Sequence, residues 1–482
     1  MDKSIRVLLI NAINARVEVE TRYPSLGLAY LASSARKNVT GADIQFKIVD
    51  KNIPSAAKEF KPHLVGISSV SQNFNIAIKY SNFFSTLGIP VIMGGIHISS
   101  LPETLPLTAT VGCIGEGEYS FVKIIKVFLE NSLGLETLAC IPGIIFWDAG
   151  KLRKTTEIVP ENNLDLIPLP ARDLLPINSH AYMFTSRGCP YRCTFCASSR
   201  FWNKLRFFSA EYVVSEIEQL ISDYNVKMIS FFDDLFVADR QRLEKILHLL
   251  EKRNIRGRVK FTCNCRANLV DKELANILFR MGVVSANMGF ESASDEMLRF
   301  LKGGMVSVAH NLEAITILKN AGIAVNGSFI IGSPKETKEQ IMQTYNFIRK
   351  TKLDLFDIYL LTPFPGTPVW DYAKKRNLIS DDMRDWSRLD MNTYRLSEEQ
   401  IIVLSEMLTK KEIIALYKKF LHLRFWRNMI KVLTHPMIND VPIMAYKLLK
   451  EFSHKLFKTN FSCDSECLNK PVVRDSVKKE YN

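Results

Sequence analysis

The segment TSRGCPYRCTFCASS, residues 185–199, decides the architecture of this protein. It carries Cys189, Cys193 and Cys196 at the spacing C-x3-C-x2-C, directly after a predicted strand. Thiolates are soft ligands that suit iron–sulfur clusters, copper(I) or zinc. Three cysteines on one short loop can hold three irons of a cubane cluster and leave the fourth iron open to another ligand. Because the intervening Pro, Tyr and Arg are unsuited to a buried core strand, the spacing predicts a metal site.

Zinc is the alternative metal for this loop. A structural zinc site normally has four protein ligands. Near the loop in sequence only His180 offers a further ligand, and it precedes the strand, while Cys263 and Cys265 are more distant candidates. Zinc fingers pair their ligands as two separated knuckles, so the single loop with three thiols favours an iron–sulfur cluster.

The stretch CPYRCTFC, residues 189–196, resembles the cysteine signature of the radical S-adenosylmethionine superfamily, including the aromatic residue before the last cysteine. The resemblance implies a [4Fe-4S] cluster on Cys189, Cys193 and Cys196. Its open iron would chelate the amino and carboxylate groups of S-adenosylmethionine. An electron from a reductant such as flavodoxin or ferredoxin would then cleave that molecule to methionine and a 5'-deoxyadenosyl radical.

A series of alternating strands and helices surrounds the cysteine loop. Amphipathic helices are predicted over 211–224 and 240–253, among others. Six strands are too few for a closed eight-stranded barrel, so the series predicts a partial (β/α)6 TIM-like barrel. The apolar runs that predict its strands are 181–186, 228–232, 259–263, 284–290, 324–331 and 356–361.

Motifs that follow the loop resemble those of the same superfamily in order and spacing. MISFFDDLFVADRQR, residues 228–242, places two acidic residues at a strand end, where they would lie near the ammonium group of S-adenosylmethionine. An N-cap role is the alternative for Asp234 or Asp239, because Asp favours that position. TCNCRANLV, residues 262–270, carries Arg266, whose guanidinium could pair with a carboxylate, against the alternative of a surface arginine.

Three further motifs extend the resemblance along the chain. NMGFESASDEML (287–298) and GSFIIGSPKET (327–337) are similar to the strand-four and strand-five motifs of the family. LTPFPGTPVWDYAKK (361–375) is similar to the motif that ends the barrel in the cobalamin-type branch. The residues that the resemblance implies for S-adenosylmethionine binding are Asp233, Asp234, Arg266, Glu291, Ser292, Gly327 and Gly332.

The N-terminal third predicts a doubly wound, Rossmann-like open sheet. Small residues follow several strands, at the carboxyl ends where such sheets bind ligands. The class of the whole chain is therefore α/β. The short apolar runs that read as buried parallel strands are 5–10, 44–49, 64–68, 90–93 and 111–114.

This sheet resembles the cobalamin-binding domains that are fused to radical cores. YPSLGLAYLASSAR (23–36), GGIHIS (94–99) and IGEGE (114–118) carry the resemblance. No D-x-H-x-x-G motif follows the first strand, which leaves the lower axial cobalt ligand unassigned. A degenerate scaffold that only docks on the barrel is the alternative. The candidate cobalamin-binding residues are Ser68, Ser69, Gly94, Gly95, His97, Gly115 and Glu116.

Composition and charge bound the remaining possibilities. Hydrophobic residues make up 47% and charged residues 23%, as in globular proteins. No secretory signal and no uninterrupted apolar run of about 18 residues are present, which predicts a cytoplasmic protein. Much of the net charge of +13 follows residue 405. A solvated basic tail is one interpretation, and peripheral membrane contact is another, suggested by Leu421, Phe425, Trp426 and Met429. No recognised nucleic-acid motif accompanies the charge.

Domain boundaries follow from these patterns. A Pro-punctuated linker with a small hairpin near 144–157 separates the two α/β units. Cys463 and Cys467 are too few for a second cluster and indicate a frayed tail. The predicted units are a cobalamin-binding-like domain (1–140), the linker (141–178), a radical S-adenosylmethionine core (179–400) and a basic helical C-terminal region (401–482).

The combined pattern predicts a cobalamin-dependent radical S-adenosylmethionine enzyme. The expected activity is methylation of an unactivated carbon, or of phosphorus, in a small-molecule, natural-product or lipid-like substrate. One alternative is an oxidative cyclase or rearrangement enzyme of the porphyrin-ring-cyclase type. Another is a non-catalytic iron–sulfur or corrinoid carrier. No motif identifies the substrate.

Overall fold

The computed structural model describes residues 3–14, 23–130, 133–380, 383–393 and 396–432. The strands are β1 (Lys3–Ala12), β2 (Ala42–Val49), β3 (Leu64–Ser69), β4 (Val91–Gly94), β5 (Val111–Cys113), β6 (Ile144–Asp148), β7 (Lys151–Lys154), β8 (His180–Met183), β9 (Ser186–Arg187), β10 (Arg206–Phe207), β11 (Met228–Phe231), β12 (Lys260–Cys265), β13 (Val283–Glu291), β14 (Ala324–Ile331) and β15 (Leu355–Leu360).

Helices connect most of these strands. They are α1 (Leu26–Asn38), α2 (Ile53–Phe60), α3 (Phe74–Thr86), α4 (Ile96–Ser100), α5 (Gly117–Leu129), α6 (Leu135–Ala139), α7 (Ser198–Phe201), α8 (Ala210–Ser222), α9 (Arg240–Lys252), α10 (Lys272–Met281), α11 (Asp295–Lys302), α12 (Val308–Asn320), α13 (Lys338–Lys350), α14 (Pro368–Lys375) and α15 (Lys410–Val432). No helix in the described ranges is long and apolar enough to span a membrane.

The N-terminal sheet has the order β2-β1-β3-β4-β5-β6-β7, and its first five strands are parallel. These are the five strands that the apolar runs predict. Val7, Leu8, Leu9 and Ile10 are all fully buried, because helices cover both faces of β1. The doubly wound fold is therefore confirmed.

The hairpin of β6 and β7 has a different place from the one predicted. It was expected as part of the linker, but β6 pairs antiparallel with β5, with Cys113 opposite Ile144. Ile144 and Ile145 are fully buried against the helices of the first unit. The hairpin thus extends the N-terminal sheet, and the covalent link between the units begins after Lys154.

The second sheet consists of six parallel strands in the order β8-β11-β12-β13-β14-β15. All six predicted strands are present, with the predicted helices over Ala210–Ser222 and Arg240–Lys252 between them. One face of the sheet is apolar and packs on the helices, as Phe261 and Cys263 show by their burial. The other face carries polar residues such as Ser230 and Thr262, whose hydroxyls lie 2.7 Å apart.

The C-terminal helix α15 covers the last strand of this sheet. Ile413, Tyr417 and Phe420 are buried, and the Phe420 ring meets the Tyr345 ring of α13 edge to face at 5.2 Å. The Arg427 guanidinium donates to the carbonyls of residues 348, 351 and 353 at the end of α13. A solvated helix was expected here, so the burial is a correction: an open sheet needs a cover for its last strand. Cys463 and Cys467 lie outside the described residues.

Candidate active site at the cysteine loop

The cysteine loop begins at the carboxyl end of β8 and is anchored there by Asp233. This carboxylate is fully buried and accepts from the Thr185 amide (2.6 Å), the Thr185 hydroxyl (2.5 Å) and the Ser186 hydroxyl (2.6 Å). Burial raises the pKa of Asp233, and the nearby Arg242 guanidinium opposes that rise. The side chain has its hydrogen-bonding capacity occupied by the loop. In this structure the Asp233 side chain therefore holds the start of the cysteine loop.

The three thiols are half-buried and form no disulfide. Burial raises the pKa of Cys189 to about 11 and also raises the pKa of Cys196. A metal must therefore displace protons from Cys189 and Cys196 when it binds. The loop is held from its far side as well, since the Thr194 amide donates to the Leu301 carbonyl at 3.0 Å.

The donor set and spacing fit a cluster better than a single ion. No three His, Cys, Asp or Glu side chains within the described part of the chain converge closely enough to bind one metal ion. A zinc ion would need such convergence, because its thiolates lie about 2.3 Å from the metal. A cubane cluster binds each thiolate on a different iron, so its cysteines stand farther apart.

A buried charged group lies beside the loop. The Arg266 guanidinium is 3.6 Å from the Cys193 sulfur and stacks on the Tyr191 ring at 3.7 Å. The Lys302 ammonium, also buried, lies 3.5 Å from the Glu291 carboxylate. Arg266 is only 6% exposed, so the surface alternative is wrong. Tyr191 and Lys302 were not predicted, because no sequence pattern distinguishes them from surface residues.

Glu291 adopts a backbone conformation that is unusual for its type. Its φ is 63°, at a register shift between β13 and β14. Burial raises its pKa, while Lys302 and Arg266 counteract that rise. Strained backbone of this kind is common at functional sites and turns the side chain away from the regular pleat.

The other residues expected to contact S-adenosylmethionine differ in their surroundings. Asp234 is exposed and accepts from Ser198 at 2.6 Å, and the neighbouring helix α9 is capped by Asp239. The Ser292 hydroxyl serves the backbone, since it accepts from the Ser294 amide at 3.1 Å. A Cβ at Gly327 would lie 2.8 Å from the Phe290 ring, so this glycine permits ring packing.

Gly332 has a φ of +86° and ends β14 with a tight turn. Its amide donates to Glu336 at 2.7 Å, and Glu336 is fully buried with its second oxygen unpartnered among the described residues. Burial raises the pKa of Glu336 to about 7. Glu336 was not predicted from the sequence, where it lies in an ordinary polar turn.

A cavity of about 390 Å³ lies between the two units, at the carboxyl ends of β1, β3 and β4. Five of the predicted cobalamin-binding residues line it. Glycines form much of its wall, and a Cβ at Gly27 or Gly115 would enter open space. A broad, flat ligand such as a corrin needs this close approach to backbone, so the cavity fits cobalamin. The five residues are Ser68, Gly94, Gly95, Gly115 and Glu116.

Two predicted cobalamin residues do not line the cavity. His97 is fully buried, stacks on Phe74 with ring centroids 3.7 Å apart, and bonds Thr104 at 3.0 Å. Burial lowers the pKa of His97 to about 3. The Ser69 hydroxyl is also buried and donates to the Val70 carbonyl. The helix α4 thus directs the His97 side chain into the core and away from the cavity.

Family models match both units of the chain. The radical SAM superfamily model matches residues 183–348, and the B12 binding domain model matches residues 14–125. An uncharacterized methyltransferase of Pyrococcus horikoshii is 31% identical, over 80% of this chain and 86% of its own length. The chain belongs to the radical S-adenosylmethionine superfamily, in the branch that carries a B12-binding domain.

Two more distant relatives also match most of this chain. The solved structure of TsrM from Kitasatospora setae, a radical S-adenosylmethionine methyltransferase with cobalamin and a [4Fe-4S] cluster bound, has a TM-score of 0.63 at 18% identity, over 77% of this chain and 75% of that chain. This likeness confirms the fold. The anaerobic magnesium-protoporphyrin IX monomethyl ester cyclase of Cereibacter sphaeroides is 26% identical over 76% of this chain and 62% of its own length.

The predicted class, a cobalamin-dependent radical S-adenosylmethionine methyltransferase, is therefore confirmed, with the cyclase as the more distant relative. Its cofactors are a [4Fe-4S] cluster, S-adenosylmethionine and cobalamin.

Proposed function

We propose that this enzyme methylates an unactivated carbon, or a phosphorus, of a small-molecule substrate at the boundary between its two units. The observation that carries the proposal is the composition of the cavity wall. Ser68 and Gly94 come from the N-terminal sheet, whereas Gly188 and Asp234 come from the cysteine loop and the strand beside it. A ligand in the cavity would therefore face the cluster loop directly.

The chain's own residues hold and orient the reactants. When bound, the cluster supplies the electron that cleaves S-adenosylmethionine, and cobalamin supplies a carrier for the methyl group. Cys189, Cys193 and Cys196 would hold the cluster. Arg266 would pair with a carboxylate beside Cys193, because its guanidinium already lies at that sulfur.

Glu291 and Lys302 form a second pair of buried charges, near Arg266. The Lys302 ammonium lies 3.5 Å from the Glu291 carboxylate and partly offsets the rise in pKa that burial causes. An anionic Glu291 would attract the ammonium group of S-adenosylmethionine, while the exposed Asp234 carboxylate would do so from the cavity side. Such fixed charges orient the reactants and exclude water, and the cofactors carry the difficult chemistry.

The direct test is product mass. The reconstituted enzyme is incubated anaerobically with methyl-labelled S-adenosylmethionine, a strong reductant and a panel of candidate small molecules or metabolite extracts. A product that gains one labelled methyl group supports the proposal. A product that only loses hydrogens or gains oxygen contradicts it and supports the cyclase alternative, which the cyclase relative motivates.

Two partners complete the proposal. We expect flavodoxin or ferredoxin, reduced by its reductase, to replace the chemical reductant in formation of 5'-deoxyadenosine. Peripheral membrane contact would rely on the Trp426 side chain, which is 47% exposed, while Phe425 is buried. Flotation with anionic vesicles tests this contact, and equal recovery of wild type and Trp426→Ala would refute it.

A further inference from the structure

A buried ion network joins the two units beside the cavity. Arg187, two residues before the first cysteine, donates to Glu116 at 2.8 Å and to Glu118 at 2.5 Å. Arg206 pairs with the other oxygen of Glu116. All four side chains are at most 17% exposed. We call these four residues the interdomain ion network.

The network spans the boundary because its members come from different elements. Glu116 precedes α5 and Glu118 lies in its first turn, so both belong to the N-terminal unit. Arg187 on β9 stands directly opposite Arg206 on β10 in an antiparallel pair. Between Arg187 and the first cysteine, Gly188 has a φ of +90° and leaves no space for a Cβ, which would lie 2.7 Å from the Lys204 carbonyl. A tight turn thus links Arg187, and the ion pairs that it makes, directly to the cysteine loop.

Charge and aromatic rings hold the network in place. Burial would raise the pKa of Glu118, but Arg187 lowers it below its usual range. The Arg187 guanidinium lies 5.4 Å from the Tyr30 ring of the N-terminal unit and equally far from the Trp202 ring of the other unit.

Buried ion pairs contribute little net stability, because desolvation offsets their attraction. They do demand one geometry, and bidentate arginine pairs demand it strongly. Arg187, Glu116 and Glu118 also line the cavity itself. We propose that the interdomain ion network is a positioning device, which sets the cobalamin cavity at a fixed place relative to the cluster loop so that methyl transfer is coupled to S-adenosylmethionine cleavage. This inference rests on the proposed function.

Arg187→Met, Arg187→Lys and the double variant Arg187→Met/Glu118→Gln test the proposal. Three quantities are measured on the reconstituted full chain: the Kd for hydroxocobalamin, the ratio of S-adenosylhomocysteine to 5'-deoxyadenosine formed, and the Tm. Arg240→Met is the matched control, because Arg240 also pairs with two carboxylates, Asp271 and Glu273, but at the surface and within one unit.

We expect Arg187→Met to raise the Kd and lower the product ratio, each by about tenfold, with Arg187→Lys intermediate and Arg240→Met like wild type. In the double variant, Glu118→Gln neutralises the buried carboxylate that Arg187→Met leaves unpaired. The Tm should therefore return toward the wild-type value, whereas the Kd and the product ratio should stay at the values of Arg187→Met. Recovery of all three together would show a merely structural role and overturn the proposal. So would an Arg187→Lys variant that matches wild type in Kd and ratio. Failure of the proposed function gives a different result from failure of this inference. The wild-type enzyme would then form no S-adenosylhomocysteine, while the Kd values of wild type and variants for hydroxocobalamin could still be compared.

Discussion

Gly95 is the glycine on which the shape of the cavity wall depends most. Its φ is +96°, and a Cβ would lie 2.6 Å from the Ser69 carbonyl oxygen, which is backbone and cannot move aside. We expect Gly95→Ala to distort the loop after β4 and to weaken hydroxocobalamin binding by about tenfold or more, a cost of roughly 1–3 kcal/mol. Absorbance titration of the reconstituted protein measures this loss.

The control for this substitution is Gly134→Ala. Gly134 has a φ of −74°, a Cβ added to it would meet no atom within 4 Å, and it does not line the cavity. Iron content should stay at the wild-type level in both variants. Equal affinity of Gly95→Ala and wild type would contradict the assignment of this wall to cobalamin.

Glu336 should make stability depend on pH. Its pKa is raised by burial from 4.5 to about 7, so the folded state holds a proton that the unfolded state releases. The associated stability is present in full below pH 4.5 and is lost as pH rises toward about 7. Relative to Glu336→Gln, the unfolding free energy of wild type should fall by about 1 kcal/mol between roughly pH 6 and pH 8.5. Denaturant unfolding measures this, and a difference that does not change with pH would contradict it.

Residue types at strand ends were predictable from sequence, but their individual partners were not. Asp233 stands where an acidic residue was expected, yet it accepts three hydrogen bonds from the loop. His97 follows a glycine-rich turn, yet α4 directs it into the core against Phe74. Both outcomes depend on side chains from elements distant in sequence, which a local pattern does not specify.

Among the elements, the cysteine loop depends on its anchor at β11. Asp233→Ala removes the acceptor for three donors, and leaving buried donors unpaired costs about 1–3 kcal/mol for each group. We expect Asp233→Ala to lower Tm and to lower iron retained per chain after anaerobic reconstitution.

Asp239→Ala provides the comparison, because Asp239 caps α9 through the Arg242 amide and does not touch the loop. It should lower stability by about 1 kcal/mol and leave iron content unchanged. If both variants retain iron equally well, the anchoring role of Asp233 is wrong.

The helix α15 should behave as part of the core of the second unit. Phe420 is fully buried against Tyr345, so Phe420→Ala should cost about 3–5 kcal/mol. Trp426→Ala, at a half-exposed position of the same helix, should cost under about 1 kcal/mol. Denaturant unfolding distinguishes them, and similar small losses would mean that the helix is not integral to the fold.

Strands were predicted well because buried parallel strands leave continuous apolar runs, as IRVLLI at 5–10 does within β1. The place of the hairpin β6–β7 was not predicted, because its pairing with β5 is a contact between residues that are distant in sequence. The burial of α15 was missed for a related reason: its basic residues are prominent in sequence, whereas its partner strand β15 lies about fifty residues upstream, at Leu355–Leu360.

In the molecule as a whole, the two cofactor units were predictable and their junction was not. The cysteine loop and the small residues after β3 and β4 each carry a local pattern. The pairing of Arg187 with Glu116 and Glu118 joins residues about seventy positions apart. Only the folded structure shows that the segment GEGE, residues 115–118, lies next to the start of the cysteine loop. It also shows that both units line the same cavity.

The proposed function places S-adenosylmethionine cleavage and methyl transfer at the same boundary between the units. The decisive measurement is anaerobic reconstitution with iron, sulfide and hydroxocobalamin, followed by S-adenosylmethionine, strong reductant and mass detection of the nucleoside products. We expect both 5'-deoxyadenosine and S-adenosylhomocysteine, with corrin absorbance retained on the protein. If protein with an intact cluster forms neither of these two products, the result contradicts the coupling of the two reactions at this boundary.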